Sequence, residues 1–123
     1  MVPPIRVLIA DDHRLFAEAL EAILAGDARI AVIAHAVDGR EAVRLAGELQ
    51  PDVVLMDIEM PVLDGIAATL QLQEEQPDLP VVAVSGSEYE ERVLEIRAAG
   101  AVDYVRKSRV SEDLVEALMA VLA

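Results

Sequence analysis

Val53-Val54-Leu55-Met56-Asp57 is an unbroken apolar run that closes on a carboxylate. Alternation of apolar and polar residues would mark a strand with one wet face. This run instead predicts a strand covered on both faces, the signature of a parallel sheet lying between helices. Three other runs share the design. Ile5-Arg6-Val7-Leu8-Ile9-Ala10 ends in Asp11 and Asp12, Val81-Val82-Ala83-Val84 ends in Ser85, and Val102-Asp103-Tyr104-Val105 leads towards Lys107. Parallel strands put all four ends on one edge, where the ligands of such sheets bind. Three carboxylates, a hydroxyl and an ammonium would meet there. That set can hold a divalent cation and handle a phosphoryl group.

Helical patterns fill the spaces between these runs. Leu15, Phe16, Ala19, Leu20, Ile23 and Leu24 are spaced to share one face, and Gly26 ends the pattern. Ile30 to Ala36 reads as a second strand. Asp38 with Glu41 resembles a capping box for a helix whose stripe is Ala42, Val43, Ala46 and Leu49, and Pro51 stops it. After the loop with Pro61 and Gly65 comes a helix with Ile66, Ala67 and Leu70, then a connection bounded by Pro77 and Pro80. A fourth helix carries Tyr89, Val93, Ile96 and Ala99 and stops at Gly100. Ala101 to Val105 reads as the fifth strand, and Ser111 as the cap of a last helix with Leu114, Val115, Leu118, Val121 and Leu122 inward. Five βα units predict an α/β fold with right-handed crossovers and helices on both faces of a doubly wound sheet.

Composition narrows the function. The chain has 123 residues, enough for one domain with a substantial core, and 54% are hydrophobic. Phe16, Tyr89 and Tyr104 are the only aromatic residues, too few for a platform that stacks bases or flavin. Net charge is −13, from 23 acidic and 10 basic residues, so a nucleic-acid backbone would be repelled. There is no cysteine, which excludes disulfides and thiolate metal sites. No run resembles a signal peptide or a membrane span. The expectation is a soluble cytoplasmic protein without membrane contact.

Each edge residue also has an ordinary reading. Asp57 could cap the following turn, and Asp11 or Asp12 could cap the first helix. Ser85 could cap the next helix, and Lys107 could be solvated, with Arg106 and Arg109 beside it in sequence. The combination is more specific than its parts. Two adjacent carboxylates beside a third call for a cation or a proton. A carboxylate at a strand end can attack phosphorus and become an acyl phosphate. A lysine can neutralise the equatorial oxygens.

These residues resemble the receiver domain of bacterial two-component response regulators, the CheY-like family. The resemblance spans residues 1–123 and rests on Leu8-Ile9-Ala10-Asp11-Asp12-His13, on Pro51-Asp52-Val53-Val54-Leu55-Met56-Asp57-Ile58-Glu59-Met60-Pro61, on Asp64-Gly65, on Val84-Ser85-Gly86, and on Ala98-Ala99-Gly100-Ala101 with Tyr104 and Lys107. It implies a (βα)5 flavodoxin-like sheet of order 2-1-3-4-5. It implies that Asp57 accepts a phosphoryl group from a sensor histidine kinase. Asp12, Asp57 and the Glu59 backbone carbonyl would hold Mg²⁺ (or Mn²⁺), and Asp11 would orient the ion. Ser85 and Lys107 would grip the phosphoryl group, and Ser85 and Tyr104 would form the switch. Asp11-Asp12-His13 and the stretch through Thr69 are most similar to the NarL/LuxR subfamily of transcriptional regulators. That subfamily reaches DNA through a helix-turn-helix output domain, which is expected to be absent from this chain, and it can form homodimers on phosphorylation.

The resemblance implies no enzyme beyond catalysis of its own phosphorylation and dephosphorylation. Three other readings compete: a Mg-dependent phosphatase, whose second aspartate would stand where Glu59 is; a flavodoxin-like cofactor module; and a stand-alone or degenerate receiver acting by protein–protein contact. Ser85 stands where threonine is commoner. Ser108 follows Lys107 where many receivers have proline, which leaves the isomer of that peptide bond open. Glu59 and Ser87 are expected to border the phosphoryl opening and to alter its lifetime.

Overall fold

The computed structural model describes residues 2–86 and 90–122. Strands β1 (Ile5–Ala10), β2 (Ile30–Ala36), β3 (Val53–Met56), β4 (Val81–Ser85) and β5 (Asp103–Arg106) alternate with helices α1 (Arg14–Ala25), α2 (Gly39–Leu49), α3 (Gly65–Glu75), α4 (Glu90–Ala99) and α5 (Val110–Val121). All strand pairings are parallel, and the order is β2-β1-β3-β4-β5. This is the order that the resemblance implied.

Period-two alternation divides the core. Leu8, Ala10, Val54, Met56, Val81 and Ala83 pack on one face with Ala42 and Ala46 of α2, Ala68 and Leu72 of α3, and Ile96 of α4. Val7, Ile9, Val53, Leu55, Val82 and Val84 pack on the other with Leu20 and Leu24 of α1 and Leu114 and Leu118 of α5. Because both faces are covered, β3 and β4 contain only buried residues. Each fully buried Leu or Val contributes about 1.5–3 kcal/mol of transfer free energy.

Local signals set several boundaries. Asp38 accepts from the Glu41 backbone N–H at 2.8 Å and starts α2, and Asp64 accepts from that of Ala67 at 2.8 Å and starts α3. Gln50, at φ 50°, turns the chain out of α2 before Pro51.

Other expectations need correction. Leu15 is 82% exposed, and Ala19 is exposed too. The inward stripe of α1 is Phe16, Ala17, Leu20, Ile23 and Leu24, because small Ala17 sits against the sheet and sets the phase. Leu70 is on the outer side of α3. Ser111 caps nothing. Lys107–Arg109 form a 3-10 turn that runs directly into α5, which starts at Val110 without a side-chain cap. Strand β5 starts at Asp103, two residues later than expected, and includes Arg106. Tyr89 and Ser87 lie outside the described residues.

Candidate functional site

The sheet ladders carry the acidic residues to the edge. The Asp57 backbone N–H donates to the Ala10 carbonyl at 2.9 Å, and that of Asp11 to the Ala36 carbonyl at 3.0 Å. Both side chains therefore leave rigid strand ends at the centre of the sheet. Ser85 closes β4, in register with Arg106 of β5, and it is buried. Lys107 is the next residue past β5.

Four expected residues meet in one crevice. Lys107 Nζ lies 3.0 Å from Asp11 Oδ2 and 3.5 Å from Asp57 Oδ2. Asp11 and Asp57 are almost wholly buried, at 1% and 3% exposure. Asp12, on the rim, places Oδ1 3.3 Å from His13 Nδ1. Asp11, Asp12, His13 and Asp57 each present a ligand atom, all within 4.8 Å of one another. Tyr104 is half-buried at the adjoining groove, and its hydroxyl donates to the Ser85 carbonyl at 3.4 Å.

The electrostatics of this crevice are unbalanced. Burial pushes the Asp57 carboxyl up to about 6; the Asp11 charge adds to the rise and Lys107 opposes it. Asp11 Oδ2 is buried and accepts no aligned hydrogen bond, although Lys107 is within ion-pair distance. Two buried carboxylates share one ammonium. The donor set therefore fits a hard divalent cation with oxygen ligands.

Three contacts were not anticipated. Phe16 forms a platform beneath Lys107, whose Nζ is 4.5 Å from the ring centroid. Arg92 of α4 pairs with Glu59 Oε1 at 3.1 Å, Glu95 Oε2 at 3.0 Å and Asp64 Oδ2 at 3.6 Å. The Glu59 side chain is thus held towards α4. Gly65, read as part of a loop motif, has a steric role. A Cβ there would collide with the Asp57 carbonyl oxygen, and the Gly65 backbone N–H donates to the Ile58 carbonyl at 2.8 Å. The Asp64-Gly65 pair carried that signal; Phe16 and Arg92 gave none, because their partners are remote in sequence. The Lys107–Ser108 bond is trans.

Comparison with known proteins agrees with this geometry. The model of the response regulator receiver domain matches residues 7–119. The transcriptional regulatory protein LiaR of Bacillus subtilis is 40% identical over 116 residues, covering 94% of this chain and 55% of LiaR. A protein-glutamate methylesterase/protein-glutamine glutaminase of Photobacterium profundum is 41% identical over 105 residues, covering 84% of this chain and 26% of its own length. The crystal structure of a LuxR-family two-component response regulator from Aurantimonas superposes with a TM-score of 0.92 at 32% identity, covering 97% of this chain and 85% of that one. The chain spans about half the length of the transcriptional regulators it matches. Buried acids at the sheet edge, a lysine past β5 and a match over nearly the whole length agree: the chain belongs to the response regulator receiver domain family.

Proposed function

We propose that this receiver is switched by phosphorylation of Asp57 by a sensor histidine kinase and that it controls transcription through a DNA-binding output domain. The observation that carries the reading is the shared ammonium: one Lys107 Nζ between the buried carboxylates of Asp11 and Asp57. In the reaction an Asp57 carboxylate oxygen forms a bond to phosphorus. The bond between phosphorus and the donor breaks, and the donor leaves with its electron pair. Lys107 compensates charge on the transferred group, and Ser85 donates a hydrogen bond to one of its oxygens. Asp12, Asp57 and the Glu59 backbone carbonyl would hold Mg²⁺, with Asp11 orienting it. When bound, the ion supplies charge neutralisation for the incoming phosphoryl oxygens.

The output follows from Ser85 and Tyr104. Movement of Ser85 towards a phosphoryl group would alter the carbonyl that the Tyr104 hydroxyl meets, and the ring would settle inward between β4, β5 and α4. Phosphorylation thus stabilises one of two arrangements of this face through contacts made only in that arrangement. A homodimer of the phosphorylated form is the expected readout. Among the described residues no helix is long and apolar enough to cross a membrane, which agrees with a cytoplasmic regulator.

The test is intact mass after incubation with acetyl phosphate and Mg²⁺, beside an Asp57→Asn control and a chelated sample. One added phosphoryl group on the native chain alone is the expected result. Equal labelling of the control would overturn the assignment. Labelling of neither, with candidate kinases also failing, would favour a receiver that acts by protein contact.

A further inference from the structure

Lys107 is shared between two acids, and phosphoryl transfer would change both of them. Its Nζ lies 3.0 Å from Asp11 Oδ2 and 3.5 Å from Asp57 Oδ2. Transfer converts the Asp57 carboxylate into an acyl phosphate, and a bound cation competes with the ammonium for Asp11. A third contact does not depend on either charge. The same Nζ stands over the Phe16 ring, 4.5 Å from its centroid. The negative face of an aromatic ring attracts an ammonium whatever the state of the nearby acids.

Chain geometry keeps the ring and the acids in one frame. Phe16 is in the first turn of α1, which starts two residues after Asp12. The Ala17 N–H donates to the His13 carbonyl at 3.0 Å and ties that turn to the end of the Asp11-Asp12-His13 segment. Lys107 arrives from the far strand β5. Its stem passes Gly86, where even an added Cβ would meet Cδ only at 3.6 Å, so the backbone there does not clamp it. The Lys107 side chain is 19% exposed, and a cation–π contact counts for more when the cation is desolvated. The ordinary role for Phe16 is packing, since it lies against the core that Leu20 and Leu24 build under α1. Leucine would fill that role as well. Leucine would not attract an ammonium.

We propose that Phe16 is a positioning residue: the face of its ring holds the Lys107 ammonium at the crevice before and after a phosphoryl group reaches Asp57. The ring is a weaker partner than a carboxylate. It therefore lets the ammonium pivot from the Asp57 oxygen to a phosphoryl oxygen without letting it leave for solvent. The grip on the ammonium stands by itself; its effect on transfer rests on the reading of Asp57 as the phosphoryl acceptor.

Phe16 is the only phenylalanine in the chain, so biosynthesis with ring-fluorinated phenylalanine alters this ring alone. One, two or three fluorines draw charge from the ring face in steps and change its size little. Two readouts follow the series, with Phe16→Leu as the member without a ring. One is exchange of the Lys107 ammonium protons with water, by magnetic resonance. The other is the rate of phosphoryl acceptance from acetyl phosphate with Mg²⁺, by intact mass. The expected result is faster exchange and slower acceptance with each fluorine, reaching about fivefold at the third, with circular dichroism unchanged. Values that are flat across the fluorinated rings and change only in Phe16→Leu would overturn the inference, because the ring would then be packing alone. Graded exchange with a flat acceptance rate would overturn the positioning role. If Phe16→Leu does not fold, the fluorinated series decides by itself. If the native chain accepts no phosphoryl group, the Asp57 reading fails; graded exchange would then still uphold the grip of the ring, and flat exchange would overturn it.

Discussion

The two edges of the sheet treat charge in opposite ways. At the edge where β1 and β3 begin, Arg6 and Asp52 close on each other. The Asp52 side chain accepts from the Arg6 backbone N–H at 2.8 Å, the Asp52 N–H donates to the Arg6 carbonyl at 2.8 Å, and the guanidinium donates to the carbonyls of Gln50 and Leu49 at 2.8 and 2.9 Å. Polar groups there are satisfied, and they end α2. At the opposite edge Asp11 and Asp57 are buried with one lysine between them. The first edge stabilises the fold. The second carries a cost that a cation or a phosphoryl group can relieve, and such strain is a mark of functional sites.

The comparison can be broken most severely at Gly65. Gly65→Ala would drive a methyl group into the Asp57 backbone, so a loss of about 3 kcal/mol or more is expected in urea unfolding. A change below about 1 kcal/mol would show that the β3–α3 loop is soft. Arg6→Met tests the satisfied edge. It removes two donors to the last carbonyls of α2 and should cost about 1–2 kcal/mol, with phosphoryl acceptance retained.

Asp57→Asn tests the strained edge, with the opposite sign. The folded protein raises this carboxyl to about 6 from an ordinary value of 3.8, so the ionised form opposes folding. The metal-free variant should therefore be about 1–2 kcal/mol more stable than the native chain at pH 7.5. The native penalty is full above the folded value and fades as pH falls from about 6 towards 3.8. The difference between the two proteins should shrink over that window, as followed by urea midpoints in chelator; a constant difference would place the strain elsewhere.

The smallest effect belongs to Val62. This exposed residue has φ 70°, a conformation costly for a β-branched side chain. Val62→Asn should gain about 0.5–1 kcal/mol in thermal unfolding, because asparagine tolerates that region. A loss would show that the Val62 side chain supports the loop.

Much of this molecule was legible in the chain. Apolar runs that end in Asp11, Asp57 and Ser85 gave the strands, their parallel packing and their shared edge, because burial on both faces leaves no other pattern. The motif Asp64-Gly65 marked the turn beside Asp57. Less was visible where partners are distant. Nothing near Glu59 announces Arg92, and nothing near Lys107 announces the Phe16 ring, since both contacts need the finished fold. The α1 stripe was misread at Leu15 and Ala19 because a small residue, Ala17, could approach the sheet more closely than leucine. Ser111 looked like a cap because a 3-10 turn leading into a helix leaves no mark in composition.

The central place of β1 also bears on how the molecule is made. The first of the sheet's strands in chain order pairs with both β2 and β3, and it carries Asp11 to the side of Asp57 once β3 is in place. Lys107 reaches them only after β5, the last of the five strands of this sheet in chain order. A growing chain that has β3 but not β5 holds two facing acids without their ammonium. Docking of the fifth βα unit therefore brings the pair its one shared ammonium, and completion of the sheet and assembly of the crevice become one event.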